Sequence, residues 1–355
     1  MSQPSQTTAP ADRAQEIRNL RQRLARRPRL ALAGLVLGLL AALAIRILLG
    51  SYTVTLPDFL TILGGGEIPG ARGARYIVME DKLPRALLGT LAGAAFGLAG
   101  AIFQLLLRNP MASPDIIGIS SGASLGAVIG IVFLGLSGLE LSLLALVFAL
   151  GLTLLIMLLS ASDSRAGNRF ILIGLALSAL CAAAIQYLLS RSSTATAQSL
   201  VHWMSGSLSS ASWARIGLLA ASLALLLLPL AIYRRPLAMT ALGDDLAQGL
   251  GIKLTPVRWG FLALAVTLTA LASAATGPLA FVAFLAGPIS RAVTGGQPSL
   301  PAAALTGSIM VVLADFAGAN LFPAINLPAG VLTGALGAPA LVWLLVRSQK
   351  EGSAS

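Results

Sequence analysis

The sequence predicts an all-α polytopic membrane protein with about ten transmembrane helices, and three observations carry that prediction. Of 355 residues, 56% are hydrophobic and only 10% charged, with a mean hydropathy of +0.86, a balance that would aggregate in water. The apolar residues fall in runs of about 20 without the alternation of a strand, and a bilayer has no water for backbone amides, so such runs become helices. Finally, the basic residues behind the net charge of +11 are sorted by loop rather than gathered on one face, which argues against nucleic-acid binding.

Taken in order, residues 1–29 carry Arg13, Arg18, Arg21, Arg23, Arg26, Arg27 and Arg29 among Gln, Ser, Thr and Pro. This segment reads as a basic cytoplasmic tail, disordered or partly helical. No small-residue cleavage pattern follows the first apolar run, so that span is expected to be retained. Residues 30–347 form one transmembrane domain, with spans near 30–49, 84–107, 117–136, 140–160, 169–190, 213–233, 257–275, 279–293, 301–320 and 328–346. An even number puts both termini on one side, and residues 348–355 become a second cytoplasmic tail. With the N-terminus inside, Arg108, Arg165, Arg169, Arg234, Arg235, Lys253, Arg258, Arg291, Arg347 and Lys350 also fall inside, whereas the outside keeps only Arg72, Arg75, Lys82, Arg85, Arg191 and Arg215, with Arg46 near the outer end of the first span. The protein is therefore placed in the inner (cytoplasmic) membrane.

Two segments depart from simple spans. Residues 51–81 are too polar to cross, yet residues 56–63 suit a short helix on the outer interface. The eighth span is short and interrupted by Gly287-Pro288, so a buried or broken span is expected there. Glycines four apart mark the second span (Gly89, Gly93, Gly97), the third (Gly118, Gly122, Gly126, Gly130) and the tenth (Gly330, Gly334). Helices in lipid associate through close backbone approach, so these stripes read as packing surfaces. Cys181 lies in an apolar segment and reads as packing too; one cysteine allows no internal disulfide.

Ionisable residues within the spans are few: Asp315 in the outer half of the ninth, Arg85 at the outer start of the second, Arg291 at the inner end of the eighth. No central acid, lysine or histidine series offers a proton relay, which counts against an ion-coupled carrier. Residues 118–122 match G-x-S-x-G, but that pattern needs a strand-to-helix turn and a base, and His202 falls on the opposite side of the membrane. No catalytic residue and no metal ligand set is assigned. The chain has no Gly-x-x-x-x-Gly-Lys-Ser/Thr loop and carries no ATPase site of that kind. It is expected not to be an enzyme and to hold no cofactor.

Two loops on the inner side stand out. The largest, 234–257, contains a short amphipathic helix with acidic residues at its start, Leu246 and Leu250 on one face, and Gly251 as a stop. It suits docking to a protein better than lying on lipid. The other, Arg108-Asn109-Pro110-Met111-Ala112-Ser113-Pro114-Asp115 followed by 118–123, is a polar turn between two spans.

Three segments together resemble the permease subunits of ATP-binding-cassette importers for iron(III)-siderophores, haem and cobalamin, the FecCD type. These are residues 83–123, the 242–252 loop, and the stretch from Gly277-Pro278 through Phe281 to Phe284, Arg291 and Asp315 to residues 327–331 and 337–339. The resemblance implies the type II importer permease fold and a half-channel that pairs with a second permease. Two separate ATPases, using ATP and Mg, would bind the cytoplasmic face, and a periplasmic or lipid-anchored binding protein would deliver the chelate. It also implies a cytoplasmic gate at Asn109, Pro110 and Met111, and an ATPase-coupling helix at Gly243, Asp244, Asp245, Ala247, Leu250 and Gly251. Lys82 and Arg85 match outer basic positions that in relatives face acidic residues of the binding protein, and Arg85 reads equally as an interfacial anchor or helix-end partner. Ala286-Gly287-Pro288 stands where relatives commonly have Val-Pro-His, and Ala319 where many have arginine; the first resembles the siderophore branch and favours a heterodimer. An iron-siderophore is the expected cargo, with cobalamin or haem as alternatives.

Overall fold

The computed structural model describes the chain apart from residues 1–9, 69–70, 72, 161–165, 241–242, 322–324 and 353–355. Expectations for the ends of both tails, for Arg72 and Arg165, and for Leu242 lie outside the described residues. In order, the helices are α1 (Pro10–Leu48), α2 (Leu56–Leu63), α3 (Ala74–Tyr76), α4 (Leu83–Leu106), α5 (Ile119–Leu134), α6 (Gly138–Ser160) and α7 (Ala166–Arg191). There follow α8 (Thr194–Met204), α9 (Trp213–Thr240), α10 (Asp244–Gly249), α11 (Leu254–Thr276), α12 (Val282–Val293), α13 (Leu300–Asn320) and α14 (Ala329–Gly352). A π-helical stretch, Ile77–Lys82, runs into α4, and a 3-10 turn, Pro114–Ile117, precedes α5.

Among the described residues, seven helices are long and apolar enough to cross a membrane, and α5, α12 and the Ala329–Val342 part of α14 are shorter apolar helices. Together they match the ten segments that hydropathy predicts. The short interface helix appears as α2, capped by Thr55, whose hydroxyl accepts from the Asp58 amide at 3.3 Å. From Pro10 onward the basic tail is helical and continuous with the first span, as its Arg, Gln, Leu and Ala content favours. The large loop is also shorter than 234–257, because α9 continues through Pro236 to Thr240 and α11 begins at Leu254.

Helix α4 is the axis of the bundle. The apolar window of α4 and its extension is 78% buried, against 17–33% for the windows of α1, α6, α7 and α9, so α4 is surrounded by protein where those helices face outward. Its glycines explain how. A methyl on Gly93 would lie 2.4 Å from the Gly307 carbonyl oxygen of α13, and one on Gly97 2.2 Å from that of Ala303. The two backbones touch, and the Ser308 hydroxyl donates to the Thr90 carbonyl across the same crossing at 2.7 Å. In α5, Gly122 and Gly126 lie instead against the side chains of Leu152 and Phe148 of α6. The stripes on the second and third spans are packing surfaces within this chain.

The break expected at Gly287-Pro288 lies elsewhere. Helix α12 runs unbroken through Pro288, and the interruption falls before it, over 277–281, where Gly277 and Phe281 have φ of +73° and +63°. The reason is chemical. In a regular helix the amide of residue 288 would donate to the carbonyl of Phe284, and proline has no amide hydrogen. The Gln104 side chain of α4 replaces it, with Nε2 donating to the Phe284 carbonyl at 3.0 Å. Gly287 makes room, since a methyl there would lie 2.0 Å from Gln104 Oε1. That same oxygen accepts from Arg291 Nη2 at 2.8 Å.

Candidate gate and coupling site

Chain direction sorts the bundle into two ends. One carries the turn after α4, together with α10; the other carries α2, α3, the π-helical stretch and α8. At the first end, α4 stops at Leu106 and Arg108 takes a left-handed backbone, φ +48°. Asn109 then folds the chain over: its Oδ1 accepts from the Met111 amide at 2.9 Å, and its carbonyl accepts from the Ala112 amide at 3.1 Å. Asn109 and Pro110 are exposed and Met111 is half-buried, so the three expected gate residues form one compact turn at the end of the bundle.

Beyond it, Ser113 caps the 3-10 turn and the Ser120 hydroxyl donates to Asp115 Oδ1 at 2.7 Å. The other Asp115 oxygen is shut off from solvent without a partner. Burial pushes this carboxyl up to about 6, against the hydrogen bonds from Ser120 and Ser113. His202 pairs at 3.4 Å with Ser209 instead, so the G-x-S-x-G serine and the histidine serve different partners.

The expected coupling residues lie beside this turn. Gly243 adopts φ +113°, a conformation suited to glycine, and starts α10. Ala247 is fully buried, while Asp245, Leu246, Gln248 and Leu250 are exposed. Gly251, at φ +81°, ends the helix by donating to the Gln248 carbonyl at 2.8 Å. Leu246 and Leu250 therefore present an apolar face that the described residues leave largely open, being 63% and 59% exposed. Asp244 turns inward: Arg258 Nη2 of α11 donates to its Oδ1 at 2.6 Å, and Arg108 Nη2 donates to the same oxygen. The Arg258 bond, with the Arg108 bond added, holds this carboxyl below the usual range against the opposing effect of burial. Arg108 also donates from Nε and Nη2 to the Thr240 carbonyl, at 3.1 and 2.9 Å.

At the opposite end, the two basic positions separate. Lys82 is 4% exposed and its ammonium donates to the carbonyls of Ile47, Leu49 and Tyr52. It closes the C-terminus of α1 and has no donor left for an external protein, so the expected docking role does not fit it. Arg85 remains partly exposed and pairs with Asp81 at 3.0 Å. Close by, Arg46 Nε of α1 meets Asp315 Oδ2 of α13 at 2.6 Å, both side chains being less than a tenth exposed. Sequence reasoning noticed each charge and missed the pair; two opposite charges near the same end of two spans were the available signal. Gln104 and Arg108 were also missed as site residues, because an amide or an arginine at a helix end has no motif of its own.

A multi-pass helical bundle with a polar turn and a short helix bearing exposed leucines at one end fits a membrane permease. The FecCD transport family pattern matches residues 35–347, and the chain belongs to that family. It is 39% identical to the Fe(3+) dicitrate transport system permease protein FecD of Escherichia coli, over 77% of this chain and 86% of that one. It is 36% identical to the ferric enterobactin permease FepG of the same organism, over 81% and 86%. The vitamin B12 import permease BtuC of Salmonella paratyphi A is 34% identical, over 84% and 94%. Among solved structures, an inward-facing metal-chelate type ABC transporter superposes with a TM-score of 0.78 at 28% identity, covering 89% of this chain and 98% of that one. The chain is thus a permease subunit of an ABC importer for iron chelates, siderophores or vitamin B12, with the type II importer fold. Such a subunit works with ATPase subunits that use ATP and with a substrate-binding protein.

Proposed function

We propose that this permease moves an iron(III)-siderophore inward across the cytoplasmic membrane, with both termini, the Asn109–Met111 turn and α10 on the cytoplasmic side. The observation that carries the coupling assignment is the exposed Leu246 and Leu250 face of α10, next to the turn and anchored by the buried Ala247. One of the two ATPases docks there, Asp245 and Leu250 facing it, while a second and different permease receives the other and completes the path. Of the two expected docking cations, Arg85 is the one left for a binding protein at the outer end. The chelate brings its own iron ligands, so the path needs shape rather than coordination chemistry.

The test is an Asp245→Arg, Leu250→Glu double variant in a strain whose uptake of radiolabelled ferric chelates depends on this gene. The expected result is loss of ATPase co-purification and of uptake, since removing a central contact weakens docking by about 2 kcal/mol or more, roughly 30-fold. Retained ATPase and unchanged uptake would overturn the assignment of α10. A vitamin B12 cargo is the second reading, supported by the 34% identity to a B12 permease over most of its length. Uptake of labelled cobalamin, unaffected by competing ferric chelates, would replace the siderophore reading.

A further inference from the structure

The coupling helix and the gate turn are adjacent, and one side chain joins them. Arg108 immediately precedes Asn109, and its guanidinium reaches away from the turn to the Thr240 carbonyl at the end of α9 and to Asp244 at the start of α10. From the far side Arg258 of α11 grips the same Asp244 oxygen at 2.6 Å. No other residue of the 108–111 turn has a side-chain bond to α9, α10 or α11 among the described residues. Two features show that the arrangement is built and not a chance surface pair. Arg108 holds a left-handed backbone, φ +48°, which a long L side chain adopts at a cost unless its contacts hold it there. Asp244 is the only acidic residue of the 234–257 segment besides Asp245, and its half-exposed carboxylate is held by Arg108 and Arg258 together, whereas Asp245 is exposed.

We propose that Arg108, Asp244 and Arg258 form a clasp that transmits displacement of α10 to the gate, Asp244 acting as a positioning residue inside the permease and not as an ATPase contact. The proposal rests on the reading of α10 as the coupling helix and assigns its two acids opposite tasks: Asp245 outward, Asp244 inward. A push on α10 is carried by Asp244 to the guanidinium of Arg108. Because that residue is the first of the turn, its movement rotates Asn109 and Met111 directly. Arg258 fixes the same carboxylate to α11, so the pull is referred to the bundle. A single part-exposed ion pair adds little stability. Its value here is geometric, because a carboxylate shared by two guanidinium groups has few directions left to move.

The experiment uses the assembled permease–ATPase complex in nanodiscs and reads the gate without cargo. Cysteine is placed at Met111 in a Cys181→Ser background, and its labelling by a water-soluble maleimide is compared in nucleotide-free and ATP–vanadate-trapped states. With the clasp intact the labelling rate should change about fivefold or more between states, the lower part of the usual range for coupled sites. Arg108→Gln, Asp244→Asn and the double variant should each abolish that change while the ATPases stay bound, and the double should be no worse than either single. Asp244→Glu should restore most of it, which a loss of fold would not allow. State-dependent labelling that persists in Asp244→Asn, or singles whose effects simply multiply in the double, would overturn the clasp. Loss of the ATPases from Asp244→Asn would likewise overturn it, by making Asp244 a docking contact. Failure of the α10 assignment itself shows differently, as ATPases that remain bound to the Asp245→Arg, Leu250→Glu protein.

Discussion

Replacing Gln104 with leucine tests whether a side chain of α4 stands in for the missing amide of Pro288. The Phe284 carbonyl is buried and Gln104 Nε2 is its donor at 3.0 Å; leucine leaves it unpaired, at a cost of about 1–3 kcal/mol. Leucine also removes the oxygen that accepts from Arg291 at 2.8 Å, so the total loss is about 2–5 kcal/mol. The informative partner is Pro288→Ala, which returns an amide to the helix. In the Gln104→Leu background that amide should recover about 1–3 kcal/mol by pairing with Phe284. With Gln104 present, the carbonyl is already satisfied and the same change should recover less by that amount. Relief of the proline ring's crowding is common to both backgrounds and cancels in the cycle. Unfolding of the four proteins in mixed micelles, followed by circular dichroism, gives the four free energies. If Pro288→Ala has the same effect in both backgrounds within about 0.5 kcal/mol, the two residues act independently and the account of α12 is wrong.

Two further outcomes follow from buried charges. Removing Asp315 or Arg46 alone strands the other member of a pair at 2.6 Å and should cost about 3–5 kcal/mol, while leucine at both positions should return close to the starting stability; additive losses in the same micelle assay would show that the charges do not interact. Asp115 titrates near 6 in the folded protein against 3.8 ordinarily, so the folded state binds the extra proton, and its relative stability is full below about pH 4 and lost as pH rises through 6. Asp115→Asn should therefore raise the melting temperature at pH 7.5 and leave it nearly unchanged near pH 4; an equal gain at both would rule out a titration effect.

The spans were legible because in lipid the backbone has one solution, and a 20-residue apolar run therefore fixes a helix with few alternatives. Glycine spacing also told true, since Gly93 and Gly97 lie against the α13 backbone. Sequence reasoning failed where a polar group's partner is far along the chain. Pro288 looks like a break when read locally, and the residue that heals the helix is Gln104, 184 positions away in sequence. Lys82 looks like an outward-facing cation, yet the carbonyls at the end of α1 claim it. Asp244 and Asp245 are chemically identical neighbours, and only the positions of Arg108 and Arg258 tell them apart. Periodicity reports which face is apolar; it does not report who satisfies a lone donor or acceptor.

The two kinds of contact on α4 divide the molecule mechanically. Against α13 and the Ala283 carbonyl of α12, its Gly93, Gly97 and Gly100 leave no side chain between backbones, and such contacts cannot slide without a clash. At its end near α10 the links are instead long side chains, Gln104 to α12 and Arg108 to Asp244, which can rotate while keeping their bonds. A displacement of α10 would thus pass through the Arg108 link to the turn, because the axis beyond it is stiff. Motion should concentrate in the turn at 108–111, leaving the Arg46–Asp315 end unmoved. That distribution suits a path whose two ends open at different times, because a shift at one mouth need not be transmitted to the other through the same helix.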